Sequence, residues 1–325
     1  MKIYNSLDAA VCDKESSFSL AIGNFDGIHL GHRKVIKQAD NSPGEKTVLI
    51  TFYPHPKKIL SPEYAPELIL TRQEKFEILE KTGVDMLIDL PFEKYVNMSA
   101  VDFMDSLYEK IPIKSVSVGY NFFFGKEQSG NPEILLWWSR SKNVRISVCD
   151  AVIHKGMKVS SSAIRNLILR GKIQIAADLL GTPYMMHNKI VSGRREGRQM
   201  DFPTINISPP EKIIPCDGVY ITTIVTESGT YPAVTNIGQN PTIDRESRSK
   251  TVETYVPYKN LPSLYGSVAG IYFFNHIRSE ITFSSTEKLR KKIAEDVQKA
   301  IEFWKNHSYD ENSFIEINKM KSDFQ

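Results

Sequence analysis

Gly23-Asn24-Phe25-Asp26-Gly27-Ile28-His29-Leu30-Gly31-His32 is the stretch that decides the fold of the N-terminal half. An apolar run, FSLAIG at 18–23, leads into it, and a helical pattern, HRKVIKQAD from His32 onward, leaves it. The segment therefore joins a strand to a helix. The same order recurs: TVLITF at 47–52 precedes a helical RQEKFEILEKTG, DMLIDL precedes SAVDFMDSLYEK, SVSVG precedes NPEILLWWSR, and VRISVCD follows. Such alternation implies a Rossmann-like parallel sheet with helices on both faces. Two further helices, SSAIRNLILRG and IQIAADLLG, close this half, each ending at a Gly suited to a helix C-terminus. Ligands of open α/β sheets bind at the carboxyl ends of the strands, where this loop lies. Its glycines let the backbone approach a phosphate chain, the following helix start offers unpaired N–H groups, and His29 and His32 add donors. Together these favour a polyphosphate.

After Thr182-Pro183-Tyr184 the pattern changes. Apolar runs become short, rich in Val, Ile, Thr and Tyr, and separated by Gly, Pro or Asn: KIVSG, TINIS, GVYITTIV, YPAVTN, TVETYV, SVAGIYFFN and RSEITF. A series without intervening helices predicts a small antiparallel β-barrel or sandwich. The chain then forms one amphipathic helix, with Leu289, Ile293, Val297, Ile301 and Trp304 on one stripe and Ser284 and Glu287 at capping-box spacing. The expected division is 1–184 and 185–325.

Composition narrows the function classes. Lys plus Arg number 41 against 38 Asp plus Glu, a formal charge of +3 with no long basic run, which argues against nucleic acid as a partner. No apolar segment approaches a membrane span and the first residues lack a signal pattern, so a soluble, cytoplasmic protein without a membrane partner is expected. Cys12, Cys149 and Cys216 are odd in number and far apart, which favours reduced thiols.

Two other constellations carry chemistry. Val159-Ser160-Ser161-Ser162-Ala163-Ile164-Arg165 places three hydroxyls at a helix start and a cation one turn later; alone it is an ordinary N-cap with a surface arginine. Gly193-Arg-Arg-Glu-Gly197-Arg198-Gln-Met-Asp201-Phe202-Pro203-Thr204-Ile205-Asn206 is a glycine-punctuated basic loop entering a strand; by composition alone it is a solvated hairpin that can cradle anions. Thr204 and Asn206, two residues apart on an extended segment, project to one face as hard oxygen ligands. His55, His154, His187, His276 and His307 are isolated and read as structural.

GNFDGIHLGH resembles the nucleotide-binding signature of the nucleotidylyltransferase superfamily, and its FDG lead-in is similar to that of bacterial bifunctional riboflavin kinase/FAD synthetases. Thr51-Phe-Tyr-Pro-His-Pro56 resembles that family's TFxPHP turn, VSSSAIR its second nucleotide motif, and Gly197-Arg198 with Phe202-Pro-Thr-Ile-Asn206 the GRxLGFPTAN signature of riboflavin kinases. Pro215-Cys-Asp-Gly-Val-Tyr220, Asn236-Ile-Gly-Gln-Asn-Pro-Thr242, Val252-Glu253-Thr254, Leu264-Tyr-Gly266 and Arg278-Ser-Glu-Ile-Thr-Phe283 follow in family order.

The resemblance implies ATP-dependent phosphorylation of riboflavin to FMN and adenylylation of FMN to FAD. His29, His32 and Arg165 would neutralise charge in adenylyl transfer, and Glu253 would be the base of the kinase step. Nucleotide would be held by Gly23, Asn24, Phe25, Gly31, Ser160, Ser161, Ser162, Gly193, Gly197 and Arg198, flavin by Asn121 and Arg278, and Mg2+ by Thr204 and Asn206. Two positions depart from the family. The flavin motif reads Asn121-Phe-Phe-Phe-Gly125, with Phe123 where Arg is usual, and Asp201 replaces a Gly. An alternative is therefore a chain that keeps one activity, the kinase. HxGH with a downstream helix start also resembles class I aminoacyl-tRNA synthetases, against which the near-neutral charge argues.

Overall fold

A computed structural model of the chain describes residues 1–10, 12–13, 15–40, 44–192, 202–239, 250–257 and 265–306. Gly193, Gly197 and Arg198, expected at a nucleotide site, and Asp201, which departs from the family pattern, lie outside these residues. The chain divides into two compact units, Met1–Ala163 and Ile164–Gln325.

The first unit is built on a six-stranded parallel sheet in the order β1-β4-β3-β2-β5-β6. Its strands are β1 (Lys2–Tyr4), β2 (Ser17–Ile22), β3 (Glu45–Tyr53), β4 (Met86–Pro91), β5 (Ile113–Gly119) and β6 (Arg145–Cys149). The edge strand β1, which pairs with β4, is too short and polar to be read from periodicity. Side chains alternate across the sheet. Leu20, Ile22, Val48, Ile50, Ile88, Val116 and Val118 meet Phe103 and Leu107 of α4 (Ala100–Lys110) and Leu135 and Trp138 of α5 (Pro132–Arg140). The intervening Ala21 and Leu49 are also fully buried, as are Ile36 and Ala39 of α1 (Leu30–Asp40), which packs on β5, β2 and β3. Helix starts are capped as their sequences direct. Thr71 and Glu74 form a reciprocal capping box on α3 (Arg72–Glu80), Ser99 accepts from Asp102 N–H, and Asn131 accepts from Ile134 N–H.

Strand order reverses at β2, which has β3 on one side and β5 on the other. That reversal opens a crevice at the carboxyl end of β2, where Gly23–His32 lies.

The second unit holds a closed antiparallel barrel, β10-β13-β12-β11-β14-β9, with β9 pairing back to β10. The strands are β9 (Tyr184–Val191), β10 (Thr204–Ile207), β11 (Gly218–Thr226), β12 (Gly229–Gln239), β13 (Lys250–Tyr255) and β14 (Val268–Ser279). Two strand expectations change. The first strand starts at Tyr184, because Tyr184, Met185 and Met186 pair with Phe273, Tyr272 and Ile271. SVAGIYFFN and the start of RSEITF form one strand, β14, bent by register shifts against β11, and the chain leaves the sheet after Ser279. Thr222, Thr235 and Thr254 are fully buried and hydrogen-bonded in a row at 2.8 and 2.9 Å, satisfying hydroxyls that would otherwise be costly inside.

The C-terminal helix α8 (Thr286–Asn306) covers the barrel with Val297 and Ala300 against Val219, Ile221 and Val234. Its cap is Ser285 rather than Ser284: the Ser285 hydroxyl accepts from Lys288 N–H at 3.3 Å. The α6 helix (Ser161–Leu169) spans the division between the units, and α7 (Ile173–Leu180) packs on β9 and β14.

Candidate active sites

His29 immediately precedes α1, and its Nδ1 accepts the N–H of His32 at 3.2 Å, so the imidazole caps its own helix. With Nδ1 an acceptor, the neutral tautomer of His29 carries its proton on Nε2. The His32 ring stacks on His29 at 3.6 Å and 13°, and meets the buried Phe25 ring edge-on at 5.4 Å. Gly31 lies close under this pair, and a Cβ there would stand 3.1 Å from the His29 ring, so the ring would have to shift by a few tenths of an ångström. The HxGH spacing thus produces one rigid pair of imidazoles at the sheet's switch point.

The preceding turn adopts left-handed backbone at Phe25, Gly27 and Ile28 (φ 48°, 91° and 40°). Such a turn can present successive N–H groups to an anion. Its carbonyls are tied elsewhere: Asn24 O accepts from Thr51 Oγ1 at 3.2 Å and Lys75 Nζ at 2.9 Å, and Asp26 O accepts from Ser161 Oγ at 2.8 Å. Asp26 is buried, and its carboxylate accepts the N–H groups of Ile69 and Leu70. Gly23 donates its N–H to Ile50 O at 3.1 Å.

Of the serine cluster, Ser160 caps α6 through Ala163 N–H at 3.2 Å, Ser161 braces the turn, and Ser162 is exposed. Arg165 follows Ser161 by one helical turn but belongs to the second unit. His55 caps α2 (Pro56–Leu60) by accepting Lys57 N–H, a structural role.

Asn121 is exposed just beyond β5, on the same sheet edge. The following Phe122 and Phe124 rings stack on each other at 5.0 Å while Phe123 stands 57% exposed. On this edge Lys158 Nζ sits 4.9 Å from the Tyr120 ring, a cation near the flavin motif that lacks its usual Arg. No spacing rule singles out Lys158. On the other side of the turn, Arg72 pairs with the buried Asp89 at 2.5 Å and covers the Tyr53 ring at 4.8 Å.

In the barrel, register places Asn206 opposite Glu253 and Glu253 opposite Asn236, so the three share one row on adjacent strands. Thr204 Oγ1 donates to Glu253 Oε2 at 3.4 Å. All four are half-buried. Asn236 opens the NIGQNPT motif but has no expected role there, and its place opposite Glu253 follows only from the register. Gly238 lies two residues along, and a Cβ there would stand 2.6 Å from Glu280 Oε1. Burial pushes the Glu280 carboxyl up, and nearby Asp217 adds to the shift against the opposing Arg278.

Thr204 donates its proton to Glu253 and so keeps its lone pairs for a cation, and Asn206 adds a carbonyl oxygen on the same strand face. These are hard, neutral oxygens, a donor set suited to Mg2+ bound together with phosphates.

Arg278, expected on the flavin side, pairs with the C-terminal helix. Its Nε donates to Asp296 Oδ2 of α8 at 2.7 Å and its Nη1 to Ser279 O at 3.0 Å, with the two side chains 15% and 2% exposed. This geometry joins β14 to α8. The three cysteines are free.

Residues 12–163 match the FAD synthetase family and residues 180–304 the riboflavin kinase family. The bifunctional riboflavin kinase/FMN adenylyltransferase of Buchnera aphidicola subsp. Schizaphis graminum is 31% identical over 291 residues, covering 87% of this chain and 93% of that protein. The Bacillus subtilis protein of the same name is 29% identical, covering 90% and 95%. A solved structure described as a macrolide-efflux protein of Streptococcus pneumoniae superposes with a TM-score of 0.82 at 26% identity, over 91% of this chain and 97% of that one. Among the described residues no helix is long and apolar enough to cross a membrane. From its two domain matches and the length of its alignments, the chain belongs to the bifunctional riboflavin kinase/FMN adenylyltransferase family, an FAD synthetase domain followed by a riboflavin kinase domain.

Proposed function

We propose that the barrel converts riboflavin and ATP to FMN, that the parallel-sheet unit converts FMN and ATP to FAD, and that the residues described above do the work. The observation that carries this is the presence in one chain of two unlike polar constellations: the stacked His29–His32 pair and the Asn206–Glu253–Asn236 row.

In the kinase step the 5′-hydroxyl oxygen of riboflavin attacks the γ-phosphorus of ATP and ADP leaves. Glu253 accepts the hydroxyl proton. Thr204 and Asn206 would hold Mg2+, which when bound neutralises charge on the phosphates. In the adenylyl step a phosphate oxygen of FMN attacks the α-phosphorus of ATP and pyrophosphate leaves. Nε2–H of His29 and the His32 imidazole stabilise charge on the phosphates, helped by the α1 N-terminus, Ser160 to Ser162 and Arg165. Asn121 addresses the flavin, with Lys158 as the cation of that edge.

The functional boundary is placed between residues 184 and 185. The family matches leave residues 164–179 outside both domains. The free cysteines support a reducing, cytoplasmic setting.

The test is to incubate the purified chain with ATP and magnesium, with riboflavin in one vessel and FMN in another, and separate the products by chromatography. FMN and FAD from riboflavin, and FAD from FMN, are the expected products. FMN alone would leave the kinase and remove the adenylyl-transfer reading.

A further inference from the structure

Lys75 stands in the first turn of α3, directly after the capping box, where a lysine ordinarily points to solvent. Here its Nζ donates to Asn24 O at 2.9 Å and meets Thr51 Oγ1 at 3.4 Å. Both contacts lie at the carboxyl edge of the sheet, beneath the turn that leads to HxGH. The charged groups facing it are Asp26 from the turn, Asp89 from β4 and Arg72 from α3. Burial holds the ammonium below the ordinary lysine range, with the two carboxylates opposing and Arg72 reinforcing the effect. The side chain is half-buried, and its ammonium is committed to a backbone carbonyl of the turn, with a hydroxyl beside it, rather than to a carboxylate.

A trans peptide points its C=O and N–H in opposite directions. With Asn24 O turned toward Lys75 and Thr51, the N–H of Phe25 faces the other way. The same logic applies to Asp26 O on Ser161 Oγ, which turns the Gly27 N–H away from α6. The left-handed φ values of Phe25 and Gly27 complete a turn whose donors are set by where its carbonyls are held. Thr51 supplies a neutral hydroxyl at 3.2 Å to the same carbonyl, and Lys75 adds the charge-assisted bond.

We infer that Lys75 is a positioning residue of the adenylyl-transfer site, fixing the Asn24–Phe25 peptide so that the turn's N–H groups meet the polyphosphate of ATP. The inference rests on the proposed assignment of adenylyl transfer to this unit. Lys75 acts through the backbone, and its charge also offsets part of the repulsion that Asp26 and Asp89 exert on an incoming anion.

The experiment compares Lys75→Met and Lys75→Arg with the parent in the full chain. FAD formation from FMN and FMN formation from riboflavin are assayed in the same preparations, from neutral to alkaline pH. Lys75→Met is expected to lower kcat/KM for FAD formation by about 100-fold, the effect of misplacing a reacting group by about 1 Å. FMN formation stays unchanged, as does the melting temperature. The parent's FAD-forming activity should fall as pH rises through the depressed lysine pKa, since the ammonium is lost there. Lys75→Arg, which stays charged, should recover most of the activity and lack that alkaline fall. Equal FAD formation by the parent and Lys75→Met overturns the role of Lys75 alone. An alkaline fall unchanged in Lys75→Arg does the same. A parent that forms no FAD from FMN overturns the site assignment and this inference with it.

Discussion

Gly31 shows how little room the first site leaves. A methyl group there meets the His29 ring at 3.1 to 3.2 Å, too close without displacement. Because His29 is fixed by its bond to His32 N–H and by stacking, the displacement is passed to the imidazole pair. Gly31→Ala should therefore lower FAD formation about tenfold through misplacement of a few tenths of an ångström, with a melting temperature near the parent's. Steady-state FAD assays beside thermal denaturation check both parts. Phe123 is the second decisive residue. It is exposed, and Lys158 lies over the nearby Tyr120 ring as a cation, so Phe123→Arg should raise FAD formation by no more than severalfold. A larger gain would show that Lys158 does not serve the site. Gly31, His29 and His32 were legible from their spacing. Lys75 and Lys158 carry no such signal, because each meets its partners, Asn24 and Tyr120, from a distant segment, and Asn236, legible as the first residue of NIGQNPT, is set beside Glu253 only by the barrel's register.

At the scale of elements, α8 is joined to the barrel by apolar packing and by the Arg278–Asp296 pair. Removing one partner of a buried pair leaves the other charge uncompensated and costs about 3 kcal/mol or more. Asp296→Ala should lower the melting temperature of the chain by several degrees. Arg278→Met should lower it comparably, while KM for riboflavin stays near the parent value in both. An Arg278→Met chain with parental stability and a raised KM would place this residue on the flavin side. The sequence placed α8 correctly, since a stripe of five apolar residues repeats at helical spacing. It set the cap one residue early because Ser284 and Ser285 are adjacent and chemically alike, and only backbone geometry distinguishes them.

At the scale of the whole molecule, two chemistries share one chain, and their lesions should be separable. Glu253→Gln should reduce FMN formation by 100-fold or more, roughly the contribution of a general base, while FAD formation from supplied FMN persists. His29→Ala with His32→Ala should do the reverse. An equimolar mixture of the two variants should make FAD from riboflavin, through FMN released by one and used by the other, and product chromatography would read this directly. Fold class and domain order were both legible in the sequence, because hydrophobic periodicity and the punctuation of glycine and proline are local properties of the chain. Local pattern also revealed the HxGH pair, whose members lie within one turn of each other. Only the tertiary structure decided which strands are neighbours. The switch point at β2, the Asn206–Glu253–Asn236 row and the clamp of Lys75 on Asn24 follow from strand order, register and chain packing. Those are set by contacts between segments tens of residues apart, for which a local pattern carries no signal.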